Sequence, residues 1–212
     1  NFSKESLLNL LEGFSSLNVC VIGDTIVDEY IACSPLGMSQ EDPTIVVTPT
    51  DSARFLGGAG IVAKHAASLG SNVYFLTVTG NDTVGTYVSE ELKVDRLHPK
   101  IAVDENRSTT LKQRFQTEGK SLLKVSHLTQ DSIDENIQNF LLDAFENILP
   151  KVDLVVFSDF NYGCLPQSLV DILIKKSKEA NKLLVSDSQS SSQIGDISRF
   201  KGMDIVFATE SE

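Results

Sequence analysis

Short apolar runs alternate with helix-like segments along most of this 212-residue chain. Several of the runs are almost continuously apolar, which is typical of strands buried on both faces of a parallel sheet. They occupy residues 19–22, 73–78, 152–157 and 183–185. Because strands and helices alternate in this way, the sequence predicts an α/β fold with a doubly wound, mainly parallel sheet flanked by helices.

An aspartate follows three of the predicted strands directly. Asp24, Asp159 and Asp187 each lie where a strand ends, and Asp28 comes four residues after the first of them. The carboxyl ends of parallel strands share one edge of a sheet, where α/β folds bind ligands. Three carboxylates at that edge indicate hydroxyl binding, metal binding or both. The alternative is that Asp24 caps the following turn and that Asp28 is a surface charge.

Two adjacent glycines, Gly57 and Gly58, join a strand-like stretch to a helix predicted over residues 59–69. Glycine allows a sharp bend and leaves backbone N–H groups accessible at the positive end of a helix. We therefore expect the pair to form the floor of a sugar site, although a plain tight turn explains the same residues. His65 lies on this helix and could reach the site.

Prolines interrupt the segment of residues 31–50, which is strand-like at positions 45–48. Strands that contain proline belong at sheet edges. This segment therefore predicts a small β excursion from the main sheet, which could act as a lid. A hairpin is predicted further along, with strands at 109–115 and 122–125.

The composition excludes several classes of protein. Asp and Glu number 29 against 18 Lys and Arg, and this acidic balance disfavours nucleic-acid binding. No apolar run reaches the roughly 18–20 residues of a membrane span. The three cysteines, Cys20, Cys33 and Cys164, have no metal-ligand spacing and suit a reducing cytoplasm. The glycine motifs of dinucleotide-binding folds and P-loop kinases are absent from the sequence.

An ordered set of motifs resembles the ribokinase-like, phosphofructokinase-B type carbohydrate kinases over about residues 17–212. The heptose-7-phosphate kinase branch is the most similar. The set comprises Gly23-Asp24 with Asp28, the Gly57-Gly58-Ala59 joint, Thr79-Gly80-Asn81-Asp82, Thr109-Thr110-Leu111-Lys112 and Ser158-Asp159-Phe160. The segment Met38-Ser39-Gln40-Glu41-Asp42-Pro43 resembles the lid of that branch.

The resemblance implies an ATP-dependent transfer of phosphate to a hydroxyl of a sugar or sugar phosphate, with Mg²⁺. It implies that Asp24 binds sugar hydroxyls, with Asp28 beside it, and that Gly57 and Gly58 offer N–H groups. The resemblance also implies that Lys112 and Arg114 meet the substrate's own phosphate and that Asp159 lies near the transferred phosphate. It implies that Asp187 binds the nucleotide and that Glu212 helps to place Mg²⁺ and the nucleotide phosphates. Lys112 and Arg114 could instead be solvated charges on an exposed strand.

The sequence also departs from the family pattern. Ile61 replaces an Asn that would bind the sugar, Thr209 replaces the Asn of Asn-x-x-Glu, and Ser188-Gln189 replaces Pro-Lys. The chain stops before the family's Gly-Ala-Gly-Asp segment, so the catalytic Asp is expected beyond residue 212. Residues 1–212 are accordingly expected to form an incomplete ribokinase-like domain without the C-terminal nucleotide-binding part, inactive alone and dimeric through the lid.

Two other interpretations remain open from the sequence. The departures favour a non-catalytic module with a kinase-like fold, which would bind a sugar phosphate or act as a regulator. A kinase for a different substrate, such as a nucleoside, fits the same motifs.

Overall fold

The computed structural model describes residues 3–189 and 196–208. The strands in these ranges are β1 (Asn18–Gly23), β2 (Thr25–Met38), β3 (Ile45–Gly57), β4 (Asn72–Gly80), β5 (Leu97–Asp104), β6 (Thr110–Thr117), β7 (Lys120–His127), β8 (Leu154–Asp159), β9 (Leu183–Ser188) and β10 (Ile205–Phe207). The α-helices are α1 (Lys4–Gly13), α2 (Gly58–Ser68), α3 (Thr83–Glu91), α4 (Glu135–Ile148) and α5 (Gln167–Glu179).

The main sheet has six strands in the order β10-β9-β8-β1-β4-β5, and every pairing in it is parallel. Its apolar strands are buried on both faces. One core packs β1, β4, β8 and β9 against α4 and α5, and the other packs β1 and β4 against α2 and α3. The predicted doubly wound α/β arrangement is confirmed. No helix in the described ranges has the length and apolar character of a bilayer span.

A second sheet, here called the lid sheet, has four strands in the order β3-β2-β6-β7. β2 pairs antiparallel with β3 and parallel with β6, while β6 and β7 form the predicted hairpin. The predicted excursion at residues 31–50 lies inside the long β2–β3 ribbon. That ribbon begins earlier and ends later than the interrupted sequence pattern indicates.

The prolines of the ribbon lie on its edge strand or in an irregular part of β2. Pro49 is on β3, the edge strand of the lid sheet. Pro35 is on β2 but beyond Ala32, the last residue of that strand to pair with β6. The β2–β3 register shifts on either side of Cys33 and Pro35, so the ribbon absorbs the prolines as irregularities.

The lid sheet joins the main sheet at the carboxyl edge of β1. Asp24 is the single residue between β1 and β2, and β3 runs directly into α2 at Gly57 and Gly58. The N–H of Ala59 donates to the carbonyl of Asp24 at 2.9 Å, and Thr25 forms an isolated bridge with Gly58. The two points where the chain passes between the sheets, at Asp24 and at Gly57–Gly58, therefore lie side by side. They place the lid sheet over the edge of the main sheet where ligands bind in α/β folds.

Candidate functional site

A cleft of about 470 Å³ lies between the lid sheet and the carboxyl edge of the main sheet. Its lining combines residues of β2, β3, α2, β6 and the segments that follow β8 and β9. The lining residues are Ile26, Asp28, Leu56, Gly57, Gly58, Ile61, Val62, Lys112, Arg114, Phe160, Asp187 and Gln189. The volume falls in the range of small-molecule sites.

Asp28 and Arg114 form an ion pair on the cleft face of the lid sheet. The guanidinium Nη1 of Arg114 donates to Oδ1 of Asp28, and both side chains are about three-quarters buried. The guanidinium also lies 5.0 Å from the ring centroid of Tyr30, which is the β2 partner of Arg114 in the ladder. The pair therefore places an acceptor and a fixed cation at the same wall of the cleft.

Lys112 lies beside this pair and points between two aromatic rings. Its Nζ is 5.0 Å from the ring centroid of Tyr162 and 5.6 Å from that of Phe160. Only 7% of the residue is exposed, so the ammonium is largely desolvated. Cation–π attraction compensates part of the cost of that burial. An anion entering the cleft would meet a charge that water screens weakly.

The two glycines are required by close contacts at the base of the cleft. A Cβ on Gly57 would lie 2.6 Å from Oδ2 of Asp28. A Cβ on Gly58 would lie 2.3 Å from the carbonyl oxygen of Asp24, and the φ of Gly58 is +58°. The glycine pair therefore brings the start of α2 against Asp28 and Asp24, where a residue with a Cβ would not fit.

Asp24 does not line the cleft. Its Oδ2 accepts the N–H groups of Phe160 at 2.8 Å and Tyr162 at 3.2 Å, and its Oδ1 accepts that of Cys164 at 3.1 Å. Burial raises the pKa of Asp24, against the lowering effect of these hydrogen bonds. This carboxylate holds the turn of residues 160–164, which carries Phe160 to the cleft, and its contact with a sugar stays a prediction.

Asp159 is also buried outside the cleft lining, in an ion pair with Arg199. Nη1 of Arg199 lies 2.9 Å from Oδ2 of Asp159 and 3.2 Å from Oδ1 of Asn161, and its Nη2 donates to the carbonyl of Leu165. Burial and the neighbouring Asp24 raise the pKa of Asp159 to about 6, against the lowering effect of Arg199. The strand-end acids are thus close, as predicted, but Asp24 and Asp159 support the turn of residues 160–164.

The raised pKa of Asp159 predicts that acidification stabilises the fold over a limited range. The folded protein keeps a proton on Asp159 at pH values where the unfolded chain has lost it. The free energy of unfolding should therefore rise as the pH falls from about 7 to about 5. Urea unfolding of wild type and Asp159→Asn at pH 5, 6 and 7 measures this, and the variant should lose part of the dependence, because Asp24, whose pKa burial also raises, remains. The exposed Asp171→Asn variant should keep it, and identical slopes in all three proteins would contradict the assignment.

The other predicted site residues lie in different places. His65 is exposed on α2 and is not among the residues that line the cleft. Asp187 is at the rim, where its carboxylate oxygens each lie 3.2 Å from Nε2 of Gln189. Glu212 lies outside the described residues, as does Thr209. Within residues 3–189 and 196–208, no cluster of three or more His, Cys, Asp and Glu side chains could hold a metal ion.

Several lining residues were not assigned to a site from the sequence. Phe160 was visible only as a member of the Ser158-Asp159-Phe160 motif, and Tyr162 carried no separate signal. The apolar lining residues Ile26, Leu56 and Val62 have the sequence pattern of core residues. Only their position beside the lid sheet shows that they face a ligand-sized space.

The comparison with protein families identifies one match along nearly the whole chain. A family model described as pfkB family carbohydrate kinase matches residues 16–212. The bifunctional protein HldE of Desulfatibacillum aliphaticivorans is 30% identical over 200 residues, covering 94% of this chain and 40% of the relative. HldE of Paramagnetospirillum magneticum (strain ATCC 700264 / AMB-1) is 28% identical over 208 residues, covering 98% of this chain and 42% of the relative. The chain spans about 40% of the length of these curated relatives.

Solved structures show the same fold. A ribokinase from Giardia lamblia superposes with a TM-score of 0.66 at 18% identity, over 90% of this chain and 61% of that one. The ribokinase of Arabidopsis thaliana, solved with ribose and ATP, gives a TM-score of 0.60 at 16% identity, over 90% of this chain and 59% of that one. The predicted ribokinase-like architecture is confirmed by these superpositions.

Proposed function

Because this chain belongs to the pfkB family of carbohydrate kinases, we propose that its cleft binds the acceptor of an ATP-dependent sugar kinase. The acceptor is a sugar that already carries a phosphate, and heptose 7-phosphate is one candidate. In this proposal residues 1–212 form the substrate-binding part of a ribokinase-like domain, and the catalytic base lies beyond residue 212. The HldE relatives and the ribokinase structures support the proposal.

One observation carries the choice of a phosphorylated acceptor. Lys112 and Arg114 lie two residues apart on β6, and both line the same cleft. Both are mostly buried, so their charges act in a medium of lower dielectric than water. A neutral sugar gives two such cations little to bind, whereas a phosphate accepts charge-assisted hydrogen bonds from both.

Within this site the residues of the chain mainly bind and orient the acceptor. We assign Asp28 to accept a hydrogen bond from a sugar hydroxyl, and the backbone of Gly57 and Gly58 to approach the sugar closely. Arg114 holds the carboxylate of Asp28 in place through their ion pair. Phosphoryl transfer depends chiefly on such positioning and on charge stabilisation. Phe160, held by Asp24, closes the side of the cleft and excludes water from it.

ATP is the phosphate donor in this proposal, and Asp187, which lines the cleft, is assigned to the nucleotide. Mg²⁺ accompanies ATP in phosphoryl transfer and neutralises its charge. The described residues do not by themselves supply a set of ligands for Mg²⁺. Glu212 remains the proposed contributor, and no step here depends on it.

The proposal predicts that Arg114→Gln weakens binding of a sugar phosphate. Removing the guanidinium deletes a charge-assisted contact to phosphate, which corresponds to about a tenfold to hundredfold loss of affinity. Binding of the unphosphorylated sugar should fall by less, about threefold, because it loses only the positioning of Asp28 by Arg114 and no contact of its own. Isothermal titration calorimetry with glucose 6-phosphate and glucose measures both.

Lys124→Gln is the matched control for this experiment. Lys124 lies directly opposite Arg114 in the β6–β7 ladder, but it is exposed and does not line the cleft. The same change of charge should therefore leave both affinities within about twofold, as for a rim charge in salt. Equal losses in the two variants would mean that the cleft does not bind the phosphate.

The second candidate is a non-catalytic module that binds or senses a sugar phosphate. The apolar side chain of Ile61 in the cleft favours it, because Ile61 cannot hydrogen-bond a sugar in the way that the family's Asn does. Turnover separates the two candidates: the intact protein, given ATP and a panel of sugar phosphates, produces ADP only if it is a kinase.

We also propose a cytoplasmic homodimer that associates through the lid sheet. Exposed apolar side chains on the β2–β3 ribbon support this association, namely Leu36, Met38, Ile45 and Val46. The three cysteines of the chain are free and buried, which suits a reducing compartment.

A further inference from the structure

The cleft has a polar wall and an apolar wall. Asp28, Lys112 and Arg114 form the polar wall on the lid sheet. The apolar wall comes from α2, where Ile61 and Val62 are half-buried and line the cleft. The two walls offer a ligand different chemistry within one space of about 470 Å³.

The apolar wall continues underneath these two residues. Ile26 and Leu56 also line the cleft, and they are only 2% and 6% exposed. Leu56 packs closely on Gly60, where an added Cβ would lie 2.8 Å from its Cγ. Leu56 is therefore fixed against the start of α2, and it cannot turn away to admit a polar group without disturbing that helix.

A fully hydroxylated sugar fits such a wall poorly. A hydroxyl placed against Ile61 or Val62 gives up its hydrogen bond to water and finds no side-chain partner in return. A carbon without a hydroxyl loses nothing there and gains from the removal of apolar surface from water. The wall therefore discriminates by the presence or absence of a hydroxyl.

Resting on the proposed function, we propose that the substrate is a sugar phosphate that presents an apolar carbon, in place of a hydroxyl, to Ile61. Its phosphate meets Lys112 and Arg114 on the opposite wall. A deoxy carbon and the methyl group of an N-acyl substituent supply the same chemistry at this wall. Ile61 is on this assignment a specificity-determining residue.

Calorimetry on the intact protein tests the proposal with compounds that share one phosphate. The probes are glucose 6-phosphate, its three analogues lacking the hydroxyl at carbon 2, 3 or 4, and N-acetylglucosamine 6-phosphate. At least one modified sugar should bind about tenfold or more tightly than glucose 6-phosphate, the usual discrimination of an apolar pocket. A preference for a deoxy analogue or for the N-acetyl compound identifies which source of the apolar carbon fits.

Two variants at one position connect the preference to Ile61. Ile61→Asn should reduce the ratio of affinities by about tenfold, because the amide offers a hydroxyl its missing partner. Ile61→Val keeps an apolar side chain and should leave the ratio within about threefold. Thermal melting of both variants confirms that they are folded.

The outcomes separate this inference from the proposed function. If glucose 6-phosphate binds as tightly as every analogue, or if Ile61→Asn leaves the ratios unchanged, the inference is wrong. The proposed function still stands in that case, provided that binding is lost in Arg114→Gln. If none of the five compounds binds, the inference is overturned, whereas the proposed function falls only if heptose 7-phosphate also fails to bind.

Discussion

Replacing Gly58 by alanine is expected to destabilise the protein by about 3 kcal/mol or more. Two costs add at this position. The backbone is in the left-handed region, with φ at +58°, and the new Cβ would lie 2.3 Å from the carbonyl oxygen of Asp24. A backbone oxygen cannot swing aside as the end of a long side chain can. Relief therefore requires β1, β2 and α2 to separate at the joint that holds the lid sheet.

Gly119→Ala separates the two costs. Gly119 has φ at +76° in the β6–β7 turn, and a Cβ added there would meet no described atom within 4 Å outside its own neighbourhood. This variant should lose only the conformational term, about 1 kcal/mol. Urea unfolding with an unchanged m-value gives both differences. Similar losses in the two variants would show that the joint yields easily and does not fix the lid sheet.

Asp24→Ala is expected to cost about 3 kcal/mol, since each of three buried or partly buried N–H groups left without an acceptor costs about 1 kcal/mol. These are the N–H groups of Phe160, Tyr162 and Cys164. The turn of residues 160–164 would lose the hydrogen bonds that hold it, and Phe160 would no longer be held at the cleft. The loss of stability in Asp24→Asn should lie between zero and that of Asp24→Ala, because the side-chain carbonyl oxygen of asparagine still accepts hydrogen bonds.

Asp28→Ala is the matched comparison, and it should behave in the opposite way. Asp28 is about three-quarters buried but makes one ion pair, so its loss should cost less than that of Asp24, about 2 kcal/mol or below. Sugar-phosphate binding should nevertheless fall in Asp28→Ala. Chemical denaturation measures the stability of both variants, and calorimetry measures their affinity for the sugar phosphate. If Asp24→Ala proves stable but weak in binding, the sequence-based assignment of Asp24 to the sugar was right.

The architecture could be predicted because its determinants are local and repeated. The apolar runs at residues 19–22, 73–78 and 152–157 leave few options other than strands buried on both faces. The ligand-binding edge of the sheet could also be predicted, because the residues that follow each parallel strand in the sequence lie at the carboxyl edge of the sheet. Asp24, Asp159 and Asp187 do meet there, with Gly23 paired to Ser158 and Ser158 to Asp187.

The direction in which each acid points could not be predicted. A position at a strand end fixes an edge of the sheet, not which neighbour the carboxylate faces. Asp24 turns towards backbone N–H groups more than 130 residues further along the chain, a contact that no local pattern encodes. Asp28 reaches the cleft because β2 leaves the main sheet and alternates its side chains across a second one.

The extent of the lid sheet was hidden for a related reason. Pro35 and Gly37 break the strand pattern of β2, so the sequence indicates a short excursion. Pairing with both β3 and β6 sustains the strand up to Ala32, and pairing with β3 alone carries it on to Met38. Such pairing is a tertiary effect that outweighs local preference.

The narrow attachment of the long ribbon makes it a lever. β2 extends for 14 residues from Thr25, which corresponds to about 45 Å at the usual rise of about 3.3 Å per residue. A rotation of about 5° at Asp24 and Gly58 would displace the far end by about 4 Å, from the same length. A small angular adjustment at the pivot is thus magnified into a displacement of atomic size at the distal turn.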